Sequence, residues 1–231
     1  MRWNQARSVV LLALALPAGC TSQEEGGRLV QSESAERTSN LDPALLAGLS
    51  WRSIGPANMS GRVTDIEGIP GPSKTFYVAA AAGGIWKTTN NGVILTPVFE
   101  NEGTHSVGAI AVHQIDTNVV WVGTGERASR QSSSWGDGVY KSTDGGQNWE
   151  RILYLNPKTG LADMAMDPSD PNTLYASMWE FRRTAWSFES GGGSSALLKS
   201  TDGGENWTEI HNGFPEGKLG RLGIAIAPAN P

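Results

Sequence analysis

Two segments of this chain gather arginines, carboxylates and aromatic rings. "GERASRQSSSWGDG" carries Glu126, Arg127, Arg130, Trp135 and Asp137, and "WEFRRTAWSFESGGGSS" carries Trp179, Glu180, Arg182, Arg183, Trp186 and Phe188. Aromatic faces stack on sugar rings or on peptide side chains, and the arginine fork grips carboxylates. Glu126 and Glu180 are one carboxylate pair of the kind that can flank a bond for general acid–base or nucleophilic work, and no residue type here singles out a catalytic set. The binding candidates are Arg127, Arg130, Trp135, Asp137, Trp179, Arg182, Arg183 and Trp186. Arg62 and His105 join them as residues that could open onto a central channel.

A second set of carboxylates has a different meaning. "KSTDGGQNW" begins at Lys141 and "KSTDGGENW" at Lys199, 58 residues later, with eight of nine positions the same. Repeated turn residues on successive units cannot converge on one substrate, so Asp144 and Asp202 are not read as catalytic. One carboxylate per phrase is also too few for a calcium loop. The phrase is architectural. Ser142, Asp144, Gly146 and Trp149, with Ser200, Asp202, Gly204 and Trp207, are expected to close hairpins. The Asp and Ser accept from turn N–H groups, glycine supplies backbone angles that other residues resist, and Trp folds back over the turn.

Those phrases must be carried by repeated elements. A degraded third copy, "KTTNNGVIL" from Lys87, falls into the same register, and Tyr77, Trp121 and Tyr175 occupy one equivalent position upstream. "GAIAVHQID", "LADMAMDPSDP" and "LGIAIAPANP" align in turn, giving a unit of about 54 to 60 residues. Its segments are short, β-branched or aromatic, and bounded by Gly, Pro, Asn or Asp, which is strand-and-turn grammar. Second-unit strands are expected at about 107–113, 118–124, 138–142 and 149–154. Four short antiparallel strands at this period make an all-β propeller blade. The chain divides into blades at about 59–100, 104–155 and 158–212, with the first strand of a fourth from about 219. The boxes mark one end of each blade, so the long loops at the opposite end are where function is expected.

Composition agrees with this class. Of 231 residues, 18% are charged, against roughly 25% in average domains, while 29 are Gly and nine are Trp. The net charge is −5 without a basic cluster, which argues against nucleic acid. Three His and a single Cys offer no metal or cofactor site and no disulfide framework.

The S-x-D-x-G-x-x-W phrase resembles the Asp-box, or BNR repeat, of sialidases, sortilin-like receptors and some glycosidases. "GRVTDI…FYVAAAAGGIWKT" is similar to the xyloglucan-processing glycosidases with Asp-box propellers. In that family the Asp two places before the Gly-Gly pair is catalytic, and Ala81 stands there in this chain, which puts that mechanism in doubt. No Arg-Ile-Pro segment supports a sialidase. "WRSIGPANMSGRVTDIEG" with "SSSWGDGVYKSTDGG" resembles exported bacterial proteins labelled sortilin-like or glycosyl-hydrolase-like, over residues 51–231. Two readings stay open: a non-catalytic module binding glycans or peptides, or a glycoside hydrolase whose catalytic pair is completed outside these residues.

The N-terminal segment reads as an export signal: Arg2 and Arg7, then the apolar "SVVLLALALP", then Ala18-Gly19-Cys20. That ending resembles a bacterial lipobox, which would lipidate Cys20 and make a lipid the only link to a membrane, although Pro17 stands where an aliphatic residue is usual. Residues 21–48 read as a tether before the propeller at 49–231. "WRSIG" (51–55) resembles the openings of the fourth strands and is expected to pair with a last blade of the protein's own ring.

Overall fold

The computed structural model describes residues 48, 61–128, 130 and 134–227. The signal segment with Cys20, the tether up to residue 47 and the 51–55 strand lie outside the described residues.

Thirteen strands form among the described residues, and no helix does. The first sheet is an antiparallel meander of β1 (Val63–Gly68), β2 (Phe76–Ala80), β3 (Gly84–Thr88) and β4 (Thr96–Pro97). The second repeats it with β5 (Val107–Val112), β6 (Val120–Thr124), β7 (Val139–Ser142) and β8 (Glu150–Leu153). The third uses β9 (Thr159–Met166), β10 (Leu174–Arg183), β12 (Ala196–Ser200) and β13 (Thr208–Ile210), with β11 (Phe188–Ser190) added to the far half of β10.

Burial shows how the sheets support one another. Every residue of β5 and β6 is buried, although a lone antiparallel sheet keeps one face in water. The second sheet is therefore covered on both faces. Tyr77, Ile85 and Phe99 of the first sheet pack with Ile110, Val122 and Tyr140 of the second. On the other face, Trp121 and Val139 pack with Leu161, Leu174 and Met178 of the third.

The inner strand of each sheet carries a bulge at the same place, between Val63 and Asp65, between Val107 and Ala109, and between Leu161 and Asp163. A bulge re-aims the following side chain, and in two sheets it sends a carboxylate to the backbone of a neighbouring segment. Asp65 Oδ2 accepts from the Ile110 N–H at 3.1 Å, and Asp163 Oδ2 from the Ile224 N–H at 3.0 Å. Ala109 stands at the equivalent position in the second sheet, where Gly108 lets the third sheet approach directly.

The nonapeptide turns close as hairpins, and they also clasp the preceding sheet. Ser142 Oγ accepts from the Gly146 N–H, and Asp144 Oδ1 accepts from the N–H groups of Gln147 and Asn148. Ser200 and Asp202 repeat this with Gly204 and Asn206. Gly145 (φ 73°) and Gly146 (φ 92°) occupy the left-handed region, as do Asn91 and Gly92 of the degraded copy. The clasp comes from outside the phrase. Tyr77 Oη and Lys87 Nζ both donate to the Gly145 carbonyl, at 3.1 and 2.8 Å, and Trp121 Nε1 donates to the Gly203 carbonyl at 3.0 Å. In return, Trp149 Nε1 donates to Val98 O at 2.7 Å.

These bonds set a pH dependence. Hydrogen bonds from the Asn206 side chain, the Asn206 N–H and Ser200 hold Asp202 down at about 2, and Asp144 is held low in the same way, first by the Asn148 N–H. A depressed carboxylate stabilises the fold above its unfolded value near 4, and that stabilisation is lost as pH falls through the folded value. The Asp144→Asn/Asp202→Asn double variant should therefore show a flatter dependence of Tm on pH between 4 and 2 than the parent. Alanine at both sites should cost more than asparagine at neutral pH, because Asn90 performs this role in the first sheet, its Oδ1 accepting from the Ile94 N–H. Thermal melts at a series of pH values check both statements.

Candidate functional site

Arg62, Glu126 and the segments from 134 and 179 lie at one end of the sheets, and the nonapeptide turns lie at the other. At the turn end the Gly145 N–H donates to Asn118 O and the Gly203 N–H to Asn172 O, which ties each turn to the first connection of its own sheet. At the opposite end, the Gly84 N–H donates to His105 O and the Ala81 N–H to Arg62 O.

The two candidate carboxylates occupy equivalent positions. Thr124 pairs with Val107 and Met178 with Leu161, so Glu126 and Glu180 each lie two residues past the matched pair. Both are engaged. Glu126 is buried and forms an ion pair with Arg62 of the first sheet, and the same oxygen accepts from the Ala128 N–H. Glu180 Oε2 accepts from the Ser194 N–H at 3.1 Å. Asp137 is likewise occupied, accepting from Tyr140 Oη at 2.6 Å and Arg151 Nη1 at 2.7 Å. Burial and the Asp137 bond push Tyr140 up to about 12, so it stays a neutral donor. Ala81 is buried beside this end.

The segment read as a second long loop is instead strand. β10 runs through Trp179, Glu180, Arg182 and Arg183, and Phe181 to Arg183 pair with Ser190 to Phe188 of β11. Its residues alternate in facing, as strand geometry requires. Trp179 and Phe181 turn inward and stack at 4.4 Å, which removes the Trp179 ring from any surface. Only the tip, Thr184 to Ser187, is a turn, closed by the Thr184 N–H on Ser187 O.

Among the described residues, two indoles stay in solvent. Trp135 is 51% exposed and Trp186 at the hairpin tip 87%. The Arg182 guanidinium lies over the Trp135 ring at 3.5 Å and donates to Pro157 O. This cation–π contact joins the second-sheet segment to the third-sheet hairpin. Arg183 lies over Phe188 at 5.2 Å, and Arg130 is exposed. Trp179 Nε1 and Arg182 Nη1 beside this surface, and Trp207 Nε1 at the turn end, are buried with no hydrogen-bond partner among the described residues.

Sequence reasoning missed a cluster on the inner strands. Arg127 reaches across the second sheet, its Nη1 at 3.8 Å from Asp65 and its Nη2 at 3.6 Å from Asp163. Arg221 Nη1 donates to Arg127 O at 2.6 Å. Arg127 thus braces the two carboxylate clamps across the sheet that has Ala109 in place of a third. The signal was present in "VTDI" and "LADM", whose aspartates align while the second unit has alanine. At the far end of the inner strands Glu67, Gln114, Met164 and Met166 line a cleft, where burial and the nearby Asp65 raise the Glu67 pKa. Among the described residues, no group of three or more His, Cys, Asp and Glu could hold a metal ion.

No protein-family model matches the chain, and no curated protein matches it. Among solved structures, an ancestral GH74 enzyme superposes with a TM-score of 0.52 at 25% identity, over 71% of this chain and 20% of its own. A GH74 enzyme of Niastella koreensis gives 0.47 at 21%, over 62% and 20%. A GH74 xyloglucanase of Xanthomonas campestris gives 0.46 at 16%, over 64% and 22%. This chain spans about a fifth of the length of those structures. Together with the three successive antiparallel sheets, the first likeness establishes the architecture as part of a β-propeller, each sheet one blade.

Proposed function

We propose that this chain is a glycan-recognition module of an exported Asp-box propeller protein, binding through Trp135 and Trp186. The observation that carries the reading is the solvent-facing pair of indoles on neighbouring blades, one held in place by Arg182. The same fold buries Trp121 and Trp179 almost completely, while Trp135 stays half in water and Trp186 almost wholly so. Such rings are suited to stacking on the apolar faces of sugar rings. Export and lipidation at Cys20 belong to the same reading and rest on the N-terminal sequence.

Binding of the chain to xyloglucan and other β-linked oligosaccharides, measured by calorimetry, tests it. The Trp135→Ala/Trp186→Ala variant should lose affinity by about 10- to 100-fold, as the loss of two stacked rings implies. Its Tm should stay within about 2 °C of the parent, since exposed side chains contribute little to stability. Unchanged affinity in the variant overturns the assignment of the surface. Binding of peptides but no glycan overturns the ligand class.

A second reading, a glycoside hydrolase, is favoured by the likeness to the ancestral GH74 enzyme. Against it, Glu126 is held in an ion pair, Glu180 by a backbone N–H, and Ala81 has only a methyl at the resembling catalytic position. Release of reducing sugar that Glu126→Gln abolishes would decide for the enzyme.

A further inference from the structure

Of the carboxylates on β1 and β9, Asp65 and Asp163 both face Arg127. Glu67 differs: among the described residues, no lysine, arginine or histidine lies within ion-pair distance of it. Its side chain is half-buried. The Val112 backbone and, at 3.5 Å, Gln114 Nε2 supply its hydrogen bonding. Gln114 is itself committed elsewhere, donating to Val112 O at 2.8 Å. Taking a carboxylate out of water without a cation beside it is costly, and the nearby Asp65 charge adds to that cost.

Glu67 lines a cleft of about 480 Å³, a size that small-molecule sites commonly have. The cleft lies at the turn end of the inner strands, away from Trp135 and Trp186. Three blades build it. Glu67 comes from β1, Ile110 and Ala111 from β5, Gln114 from the connection after β5, and Met164 and Met166 from β9. The two methionines are two residues apart on one strand and so turn to the same face. The wall is thus apolar apart from one carboxylate and one carboxamide.

That lining selects among ligand classes. An anion would be repelled by Glu67 and Asp65. A hard divalent cation needs several oxygen ligands, and one carboxylate is offered. A sugar would find no aromatic ring in the lining. A ligand with a positive end and a hydrocarbon body meets every part of it.

We infer that this cleft binds an alkylammonium group, with its nitrogen on the Glu67 carboxylate and its carbon chain along Met164, Met166 and Ile110. Methionine adjusts to irregular apolar shapes, which suits a linear, flexible chain. A lysine side chain of a peptide and a free aliphatic amine share this chemistry. The site is separate from the glycan surface and stands or falls without it.

The test labels the full chain with carbon-13 at its methionine methyls, assigns Met164 and Met166 by substitution to leucine, and titrates with n-butylammonium. Both methyl signals should shift and saturate. The neutral isostere n-butanol should bind at least about tenfold more weakly, since a hydrogen bond to a charged group is worth that much. Glu67→Gln should remove the preference for the cation and keep Tm within about 2 °C of the parent. Gln114→Lys, which brings its own ammonium to Glu67, should block the titration. Tighter binding of Nα-acetyl-lysine amide than of butylammonium identifies a peptide side chain as the source, and the reverse a free amine; both uphold the inference. Methyl signals that do not move, equal affinity for butylammonium and butanol, or a cation preference that survives Glu67→Gln overturns it.

Discussion

Replacing Trp121 with alanine should lower the stability of the fold by about 4 kcal/mol, the loss expected for truncating a fully buried tryptophan. In a chain of this size that lowers Tm by about 8 to 16 °C. The ring is 1% exposed and packs in the core shared by the second and third blades. His113 stacks on it at 5.9 Å. Truncation leaves a cavity at the blade junction and frees the Gly203 carbonyl at the same time. Trp121→Phe separates the two effects, because phenylalanine keeps most of the packing and deletes the donor. It should cost about 1 to 2 kcal/mol, the range for a buried carbonyl deprived of its partner. Tyr77→Phe should cost less than Trp121→Phe, since Lys87 Nζ still holds the Gly145 carbonyl at 2.8 Å. Tyr77 itself remains a neutral donor, pushed up to about 12 by burial and then by the Asp144 charge. Denaturant melts of the three variants measure the order. Parent-like stability in Trp121→Phe would show that the indole N–H takes no part in joining the blades.

This ordering bears on what could be read from the sequence. Asp144, Asp202 and their glycines announced hairpins because each phrase closes on itself within nine residues, and local bonds leave a local pattern. Tyr77, Trp121 and Tyr175 could be aligned, yet their role could not be read. Tyr77 and Trp121 each donate to a carbonyl more than sixty residues away, and nothing in a strand shows which face meets the next blade. The same limit explains the second candidate loop. Its Trp, Phe and Arg residues suggested an exposed binding segment, while the alternation that puts Trp179 and Phe181 inside and Glu180 and Arg182 outside is a period-2 strand pattern. Glu126 shows the remaining gap. Its sequence neighbourhood proposes a free carboxylate, and only the arrival of Arg62 from another blade shows it to be paired.

The junction between the second and third blades should also fail at a glycine. Gly108 has an ordinary backbone conformation, so its need for glycine is purely one of space. A Cβ there would fall well inside contact distance of the Leu161 backbone carbonyl. Gly123, one strand over, faces the same residue, but its added Cβ would meet the Leu161 side chain, with Cδ1 and Cγ both at 2.7 Å. The two substitutions therefore have different remedies. Gly108→Ala pushes on a backbone that belongs to an inner strand, and should cost about 3 kcal/mol, at the upper end for overpacking. Gly123→Ala should cost less, because a leucine can change rotamer. Leu161→Ala alone should cost 2 to 5 kcal/mol. Combined with Gly123→Ala the penalty should fall well below the sum, as the new methyl occupies part of the vacated space. Combined with Gly108→Ala it should relieve nothing, because the carbonyl oxygen remains. Equal relief in both double-mutant cycles would mean that the blades adjust as rigid bodies. Relief confined to Gly123 would mean that the inner strands of neighbouring blades fix their separation by backbone contact. The carboxylate clamps at Asp65 and Asp163 would then be the means by which the other junctions hold a wider spacing.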